Sequence, residues 1–392
     1  MRFSFFLIAG FCLVTAALSS SQSLKKGQWI KQFHSFSITE SLSKNSFRIF
    51  STTLPCPDAR GGSHREWAEE PPVFHLLAAG IFALGLQNPA LLPLLAYLLF
   101  MVAAFLLICS PNEVGLERVG EKQRRIIFLL SATSPVVMRF SIQHLPDLLA
   151  TALLMLGGYF TVGKRRGWSL IFLGLAVTTK ALTIFPAVCF LLYSAYFDSQ
   201  KKPTKRLVEV ACSIGVLASP FLIWIGCLQT LRVSNPFLNE FSAQNRYFGD
   251  FSLLLSLGYW LRVMNWAVSK GVGWILFIGF FLSVLEQVQK KQQIQLMPRL
   301  ELFLYLWAAA LIPYWILVRQ GNYVHDHYFL PFAFPISVLG SLYWFKKMTS
   351  RAGIAVLVSL SITSIIGGAL SLTQMKPIGG EKACYEEVTK HF

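Results

Sequence analysis

The sequence predicts an all-α polytopic membrane protein forming one domain over residues 1–392, and three observations carry that expectation. The 392-residue chain is 54% hydrophobic and 14% aromatic yet only 14% charged, with a mean hydropathy of +0.53. A soluble chain of this length carries more charge and shorter apolar runs. Here the runs recur from end to end, so lipid is the expected solvent. The Lys and Arg residues gather in short blocks between the runs, the pattern by which a multi-pass protein sets its orientation. That placement accounts for much of the formal charge of +16. A basic face interleaved with aromatics is missing outside those blocks, which argues against nucleic acid as a partner.

Taken in order, the first apolar run at 3–19 follows a single Arg and ends in small residues. It fits a cleaved signal peptide or a first spanning helix. Residues 20–87 form a long first outer loop. Within it, "PPVFHLLAAGIFALGL" (71–86) is apolar but shorter than the roughly 20 residues a span needs. Counting it as a crossing would also turn the basic block "ERVGEKQRR" (117–125) outward. It is therefore expected to lie as an interfacial helix, with Pro71 and Pro72 near its first turn. Spans follow at 88–109, 126–143 and 147–162, the last two separated by "QHLPD" (143–147).

The run at 168–197 has basic blocks at both ends, "GKRRG" and "DSQKKPTKR". It must cross twice, as a tight hairpin with Lys180 near the outer tip. A span at 207–227 leads to a second long outer loop, 228–271, and further spans lie at 272–287, 302–318, 329–345 and 353–373. The total is about eleven crossings with the N-terminus inside. Five basic blocks hold 17 of the 35 Lys and Arg, whereas "QHLPD" and "RQGNYVHDHY" (319–328) hold one between them. The poor gaps therefore face outward if the rich ones face the cytoplasm. Cys12, Cys109, Cys189, Cys212 and Cys227 lie in or beside apolar runs, where a thiol is a small hydrophobe. Cys56 and Cys384 lie in polar segments, and no metal spacing links any of the seven.

This topology gathers titratable residues on one face. His34, Glu40, Asp58, Glu66, Glu69 and Glu70 come from the first loop, and His144 and Asp147 from "QHLPD". Lys180 comes from the hairpin tip, and Arg319, His325, Asp326, His327 and Tyr328 from the gap before the run at 329–345. An ionisable group at a span end is costly unless paired or wet, so the gathering is a candidate site. Converging carboxylates suit a hard divalent ion such as Mg²⁺ or Mn²⁺, and nearby Arg and Lys suit a phosphate. A structural reading stands beside each. Asp147 follows Pro146 and could cap a helix, Lys180 could snorkel to the headgroups, and "HDHY" could be a solvated or pH-sensitive loop. Glu69 and Glu70 could answer a helix dipole, and Arg139 reads as a snorkelling or span-pairing residue.

Four stretches carry a resemblance: "WIKQFHSFSITESLSK" (29–44), "EEPPVFHLLAAGIFALG" (69–85), "SPVVMRFSIQHLPDLLATALLML" (134–156) with "GLAVTTKALTIFPAV" (174–188), and "NYVHDHYFLPFAFPISVLG" (322–340). In order and spacing the chain resembles the glycosyltransferase family 39 type of GT-C membrane enzymes. That family includes protein O-mannosyltransferases and bacterial lipid A aminoarabinose transferases. The likeness covers roughly residues 25 to 345. It implies a GT-C-like bundle and a hexosyltransferase that takes a sugar from a polyprenyl-phosphate carrier, outside the cytoplasmic membrane, and passes it to a protein, lipid or glycan acceptor. It also implies that Glu69 and Asp147 help arrange the site and a divalent metal, and that Lys180 lies near the carrier phosphate. The family's acidic residue in the first outer loop has no match: His34 stands in its place, with Glu40 and Asp58 the nearest carboxylates.

On this reading His34 or Glu40 takes the acceptor's proton, and Asp147 with Glu69 holds the metal. Lys180 and Arg319 stabilise the leaving phosphate, while His325, His327 and Tyr328 lie over the carrier. Two rivals remain open. Intramembrane charges and broken helices also mark lipid or sugar transporters and flippases, and the unmatched first-loop acid suits a non-catalytic binder of lipid-linked sugars.

Overall fold

The computed structural model describes residues 29–44, 53–54, 65–66, 71–86, 88–110, 116, 119–141, 143–197, 202–230, 248–290, 297–324, 326–348, 353, 355, 357–359 and 362. The runs at 3–19 and most of 353–373 lie outside these residues, as do Cys12, Cys56, Asp58, Glu69, Glu70, His325 and Cys384.

The described chain is almost wholly helical. α1 (Trp29–Lys44) is followed by a two-residue antiparallel ladder, β1 (Thr53–Leu54) against β2 (Arg65–Glu66), with Thr53 opposite Glu66. α2 (Val73–Ala83) covers the core of the expected interfacial helix. It turns Phe74, Ala78, Ala79 and Phe82 inward, against α1 among others, and leaves Leu77 outward. α3 (Leu91–Cys109) matches the span expected at 88–109.

The run at 126–143 is not one helix. α4 (Glu121–Ala132) stops at Thr133, and α5 (Pro135–Phe140) starts afresh. Proline has no N–H to continue the ladder and pushes the residue before it out of helical geometry. Ser134 accordingly has a ψ of 144°.

α6 (Asp147–Val162) and α7 (Arg166–Thr179) form a hairpin. Lys180 breaks the helix in extended geometry, a 3₁₀ turn (Ala181–Thr183) follows, and α8 (Ile184–Phe197) returns. The start of α7 and the end of α8 line one cavity, so 166–197 is a hairpin with Lys180 at its tip. α9 (Pro203–Thr230) is one long helix despite Pro220.

The described part of the second long segment is also helical. α10 (Ser252–Leu255), α11 (Leu257–Asn265) and a π-helical stretch (Trp266–Val272) lead to Gly273, whose φ of 85° suits glycine. There the path bends by 113° into α12 (Trp274–Lys290). α13 (Arg299–Ala309), α14 (Leu311–Leu317), α15 (Arg319–Val324), a 3₁₀ turn (Asp326–Phe329) and α16 (Leu330–Lys347) complete the order.

By length and composition, three of the described helices can cross a bilayer: α3, α9 and the continuous Arg299–Leu317 stretch. The bent pair 257–289 makes four if counted as one span. α6 at the centre packs against α3 and α7, and α16 packs against α4, α12 and α13.

Lipid tails are as apolar as Leu, so helix association here depends on close packing. Glycines make it possible. A Cβ on Gly157 would lie 2.5 Å from Leu173 of α7, and one on Gly158 would lie 2.8 Å from Phe303 of α13.

Candidate active site

The site starts with α1, which docks over the turn that carries Asp147. Ser35 and Thr39 lie one helical turn apart, so they share a face. The Ser35 hydroxyl meets His75 Nε2 of α2 at 3.0 Å, and Thr39 Oγ1 meets His144 Nε2 at 3.1 Å. His144 Nδ1–H donates to the Pro89 carbonyl at 2.8 Å, and the ring lies edge-on to Phe74 (centroids 5.0 Å apart) and Phe36 (5.9 Å). α1 is thus tied to "QHLPD" by a buried polar bond inside an aromatic box.

That burial pushes the His144 imidazole down from its ordinary 6.5 to about 4, against the opposing pull of the Pro89 carbonyl. A ring kept neutral in the folded state contributes stability that is complete above the unfolded value near 6.5. It is lost as pH falls towards 4. The expected loss over that window is at most roughly 3 kcal/mol, concentrated in the docking of α1. Limited proteolysis between pH 7 and 4 checks it. Cleavage in α1 should rise in the native chain, and a His144→Gln variant should show no such rise across the window. An unchanged pH profile in the variant would assign the effect to other groups.

Asp147 occupies the first turn of α6, where the helix dipole favours a carboxylate, and Lys180 ends α7, where it favours a cation. The hairpin brings these opposite helix ends together. Asp147 Oδ1 and Lys180 Nζ are 3.7 Å apart, with side-chain exposures of only 8% and 13%. Lys180 N–H donates to the Ala176 carbonyl, and the Lys180 carbonyl accepts from both the amide and the hydroxyl of Thr183, which pins the tip. Lys180 Nζ also stands 5.9 Å from the ring centroid of the buried Tyr328. Tyr328 in turn packs so closely on α15 that a Cβ on Gly321 would lie 2.4 Å from its ring. Asp147, Lys180 and Tyr328 are therefore gathered from three places far apart in sequence.

Arg319 is buried and engaged differently. Its guanidinium donates to the carbonyls of Gly249, Asp250 (2.9 Å) and Ile316 (3.1 Å), and lies 3.8 Å over the Phe251 ring. It clamps the 249–251 turn onto α15. Glu40 forms an ion pair with Lys44 at 2.6 Å on the partly exposed side of α1. His34 lies on α1 one residue before Ser35, and His327 lies in the 3₁₀ turn with Tyr328. Glu69 and His325 lie outside the described residues. Among the described residues no three His, Cys, Asp or Glu side chains gather as metal ligands.

One feature went unread in the sequence: Ser35 and Thr39 dock α1, and their spacing of four was the available signal. Arg139 is 5% exposed on α5, which removes the snorkelling alternative and leaves the span-pairing one.

No family model matches the chain, and no curated protein matches it by sequence. Solved structures match by shape. The crystal structure of ArnT from Cupriavidus metallidurans bound to undecaprenyl phosphate superposes with a TM-score of 0.60 at 16% identity, over 91% of this chain and 62% of that one. The same protein in its apo state gives 0.54 at 16% identity, over 85% and 58%. The chain thus spans about three fifths of the length of these neighbours. These matches show the fold alone: the chain has a GT-C glycosyltransferase-like fold.

Proposed function

We propose that the chain is a membrane glycosyltransferase that moves a sugar from a polyprenyl-phosphate carrier to an acceptor on the outer side of the cytoplasmic membrane. One observation carries this reading: Asp147, Lys180 and Tyr328 converge next to the turn of His144 on which α1 docks. The fold in which they converge is shared with a protein whose structure holds undecaprenyl phosphate.

Transfer forms a bond between an acceptor oxygen and the anomeric carbon and breaks the bond from that carbon to the phosphate oxygen. The acceptor proton goes to a base, and the carrier leaves as polyprenyl phosphate. His34 or Glu40 of α1 takes the proton. Lys180 stabilises negative charge growing on the leaving phosphate, from a buried position where a fixed cation acts most strongly. Asp147 holds the ammonium in place before the donor arrives. Tyr328 and its neighbours His325 and His327 wall the sugar side. Arg319 shapes that wall by anchoring the 249–251 turn, and its proposed phosphate contact requires an exchange of carbonyl partners.

A divalent ion between Glu69 and Asp147 belongs to the same proposal, and such an ion would supply further positive charge. No step above is routed through it, because Asp147 already faces Lys180. The placement of His34 where an acidic residue is expected favours one second reading, a binder of lipid-linked sugar without turnover.

Purified chain in lipid, given radiolabelled polyprenyl-phosphate hexoses with a panel of acceptors, tests both. Transfer of label is the expected result, and its loss with EDTA would add the metal. Saturable donor binding with no transfer to any acceptor would select the binder, and neither binding nor transfer would end both readings.

A further inference from the structure

At the end of the α6–α7 hairpin away from Asp147 and Lys180 lies a cavity of about 370 Å³. α6 has 16 residues, which puts it roughly 24 Å from the pair just described. Three of the basic blocks meet there. Lys164 and Arg166 come from the α6–α7 turn, Arg206 from the start of α9, and Arg299 from the start of α13. Among the described residues one carboxylate, Glu209, lines the same space; Arg166 donates to it at 2.7 Å and to the Ser213 hydroxyl at 3.3 Å. Four cations and one carboxylate among the described lining residues give the cavity an excess of positive charge.

The position of Lys164 adds to this. It closes α6 with a left-handed φ of 57°. The Lys164 amide donates to the Thr161 carbonyl and the Arg165 amide to the Phe160 carbonyl, a helix stop at which glycine is the favoured residue. A lysine there costs backbone strain and places a cation on the rim. The neighbouring outward faces are apolar, with Trp168 on α7 and Leu207 and Val208 on α9 all more than half exposed. A cationic pocket flanked by exposed apolar helix faces suits a ligand with an anionic head and hydrocarbon tails.

We propose that this cavity binds the phosphate headgroup of an anionic membrane lipid, as a site separate from the Asp147–Lys180 pair and independent of the transferase reading. The shared chemistry is a phosphate anion, from a lipid or from solution, and the flanking Trp168, Leu207 and Val208 assign it to the lipid.

The full chain in phosphatidylcholine nanodiscs containing a minor fraction of phosphatidylglycerol, read by native mass spectrometry for retained lipid, tests the assignment. Lys164→Gly removes a charge while fitting the left-handed backbone, so this variant should be at least as heat-stable. Arg206→Gln with Arg299→Gln removes two charges and leaves the Arg166–Glu209 pair in place. Selective retention of phosphatidylglycerol should fall about fivefold in the first variant and roughly 25-fold in the second, with phosphatidylcholine unaffected. Unchanged selectivity in both variants would overturn the proposal. Displacement of phosphatidylglycerol by excess inorganic phosphate, with no recovery in excess lipid, would also overturn it by making this a soluble-anion site.

Discussion

Asp147→Asn should lower the rate of sugar transfer by about two to three orders of magnitude, the size of loss that follows when a fixed charge-stabilising group, here the Lys180 ammonium that Asp147 holds, is no longer kept in place. The same change should destabilise the fold, because the carboxylate 3.7 Å from Lys180 disappears while the ammonium stays 13% exposed. Breaking a buried pair costs on the order of 3–5 kcal/mol. A loss of activity alone would therefore not separate chemistry from folding. Asp147→Asn combined with Lys180→Gln does separate them. With both charges gone the melting temperature should return most of the way to the parent value, while transfer should stay absent. Recovery of transfer in the double variant would show that the pair is only a structural strut. Full activity in Asp147→Asn would remove it from the mechanism altogether.

Gly340→Ala should have the largest effect on stability of any single methyl addition in the helical core. A Cβ on Gly340 would lie 2.1 Å from the carbonyl oxygen of Leu276, and that neighbour is backbone, which no side-chain rotation can move aside. The same crossing brings Gly279 of α12 within 2.7 Å of the Gly340 carbonyl if a Cβ is added there, and Trp344 Nε1–H donates to the Ile275 carbonyl at 3.0 Å. Overpacking ordinarily costs about 1–3 kcal/mol, and a clash of backbone on both sides should lie at or above the upper end. Thermal unfolding in detergent or lipid measures it. Gly80→Ala, at a glycine with open space around it, is the control and should be close to neutral. Equal melting temperatures for the two variants would mean that α12 and α16 do not approach as closely as described.

Much of the architecture was legible because lipid leaves little choice. A backbone in hydrocarbon must satisfy its own hydrogen bonds, so the apolar runs announce helices, and 88–109 and 207–227 stand as α3 and α9. The hairpin was legible from charge alone, since two basic blocks flanked a run at 168–197 too long for one crossing. The three blocks at 163–167, 198–206 and 289–299, expected on one face, do meet there, with Lys164, Arg166, Arg206 and Arg299 on one cavity. The break at Ser134 was written in Pro135 but hidden by an apolar run that reads through it. The 113° bend at Gly273 was equally unreadable, because nothing local says which way a π-helical stretch will leave its axis.

By itself, then, the sequence determined which segments are helical and placed Asp147, Lys180 and Tyr328, among many other titratable residues, on one expected face. Periodicity and charge are local properties, and a bilayer converts them into position along one axis. Only the tertiary structure decided the partners within that face. It paired Asp147 with Lys180, drew Arg319 away to the carbonyls of Gly249, Asp250 and Ile316, and set Thr39 against His144. Those outcomes depend on how helices rotate and lean when glycines such as Gly157, Gly321 and Gly340 let them approach, and contact across a bundle leaves no local pattern in the chain.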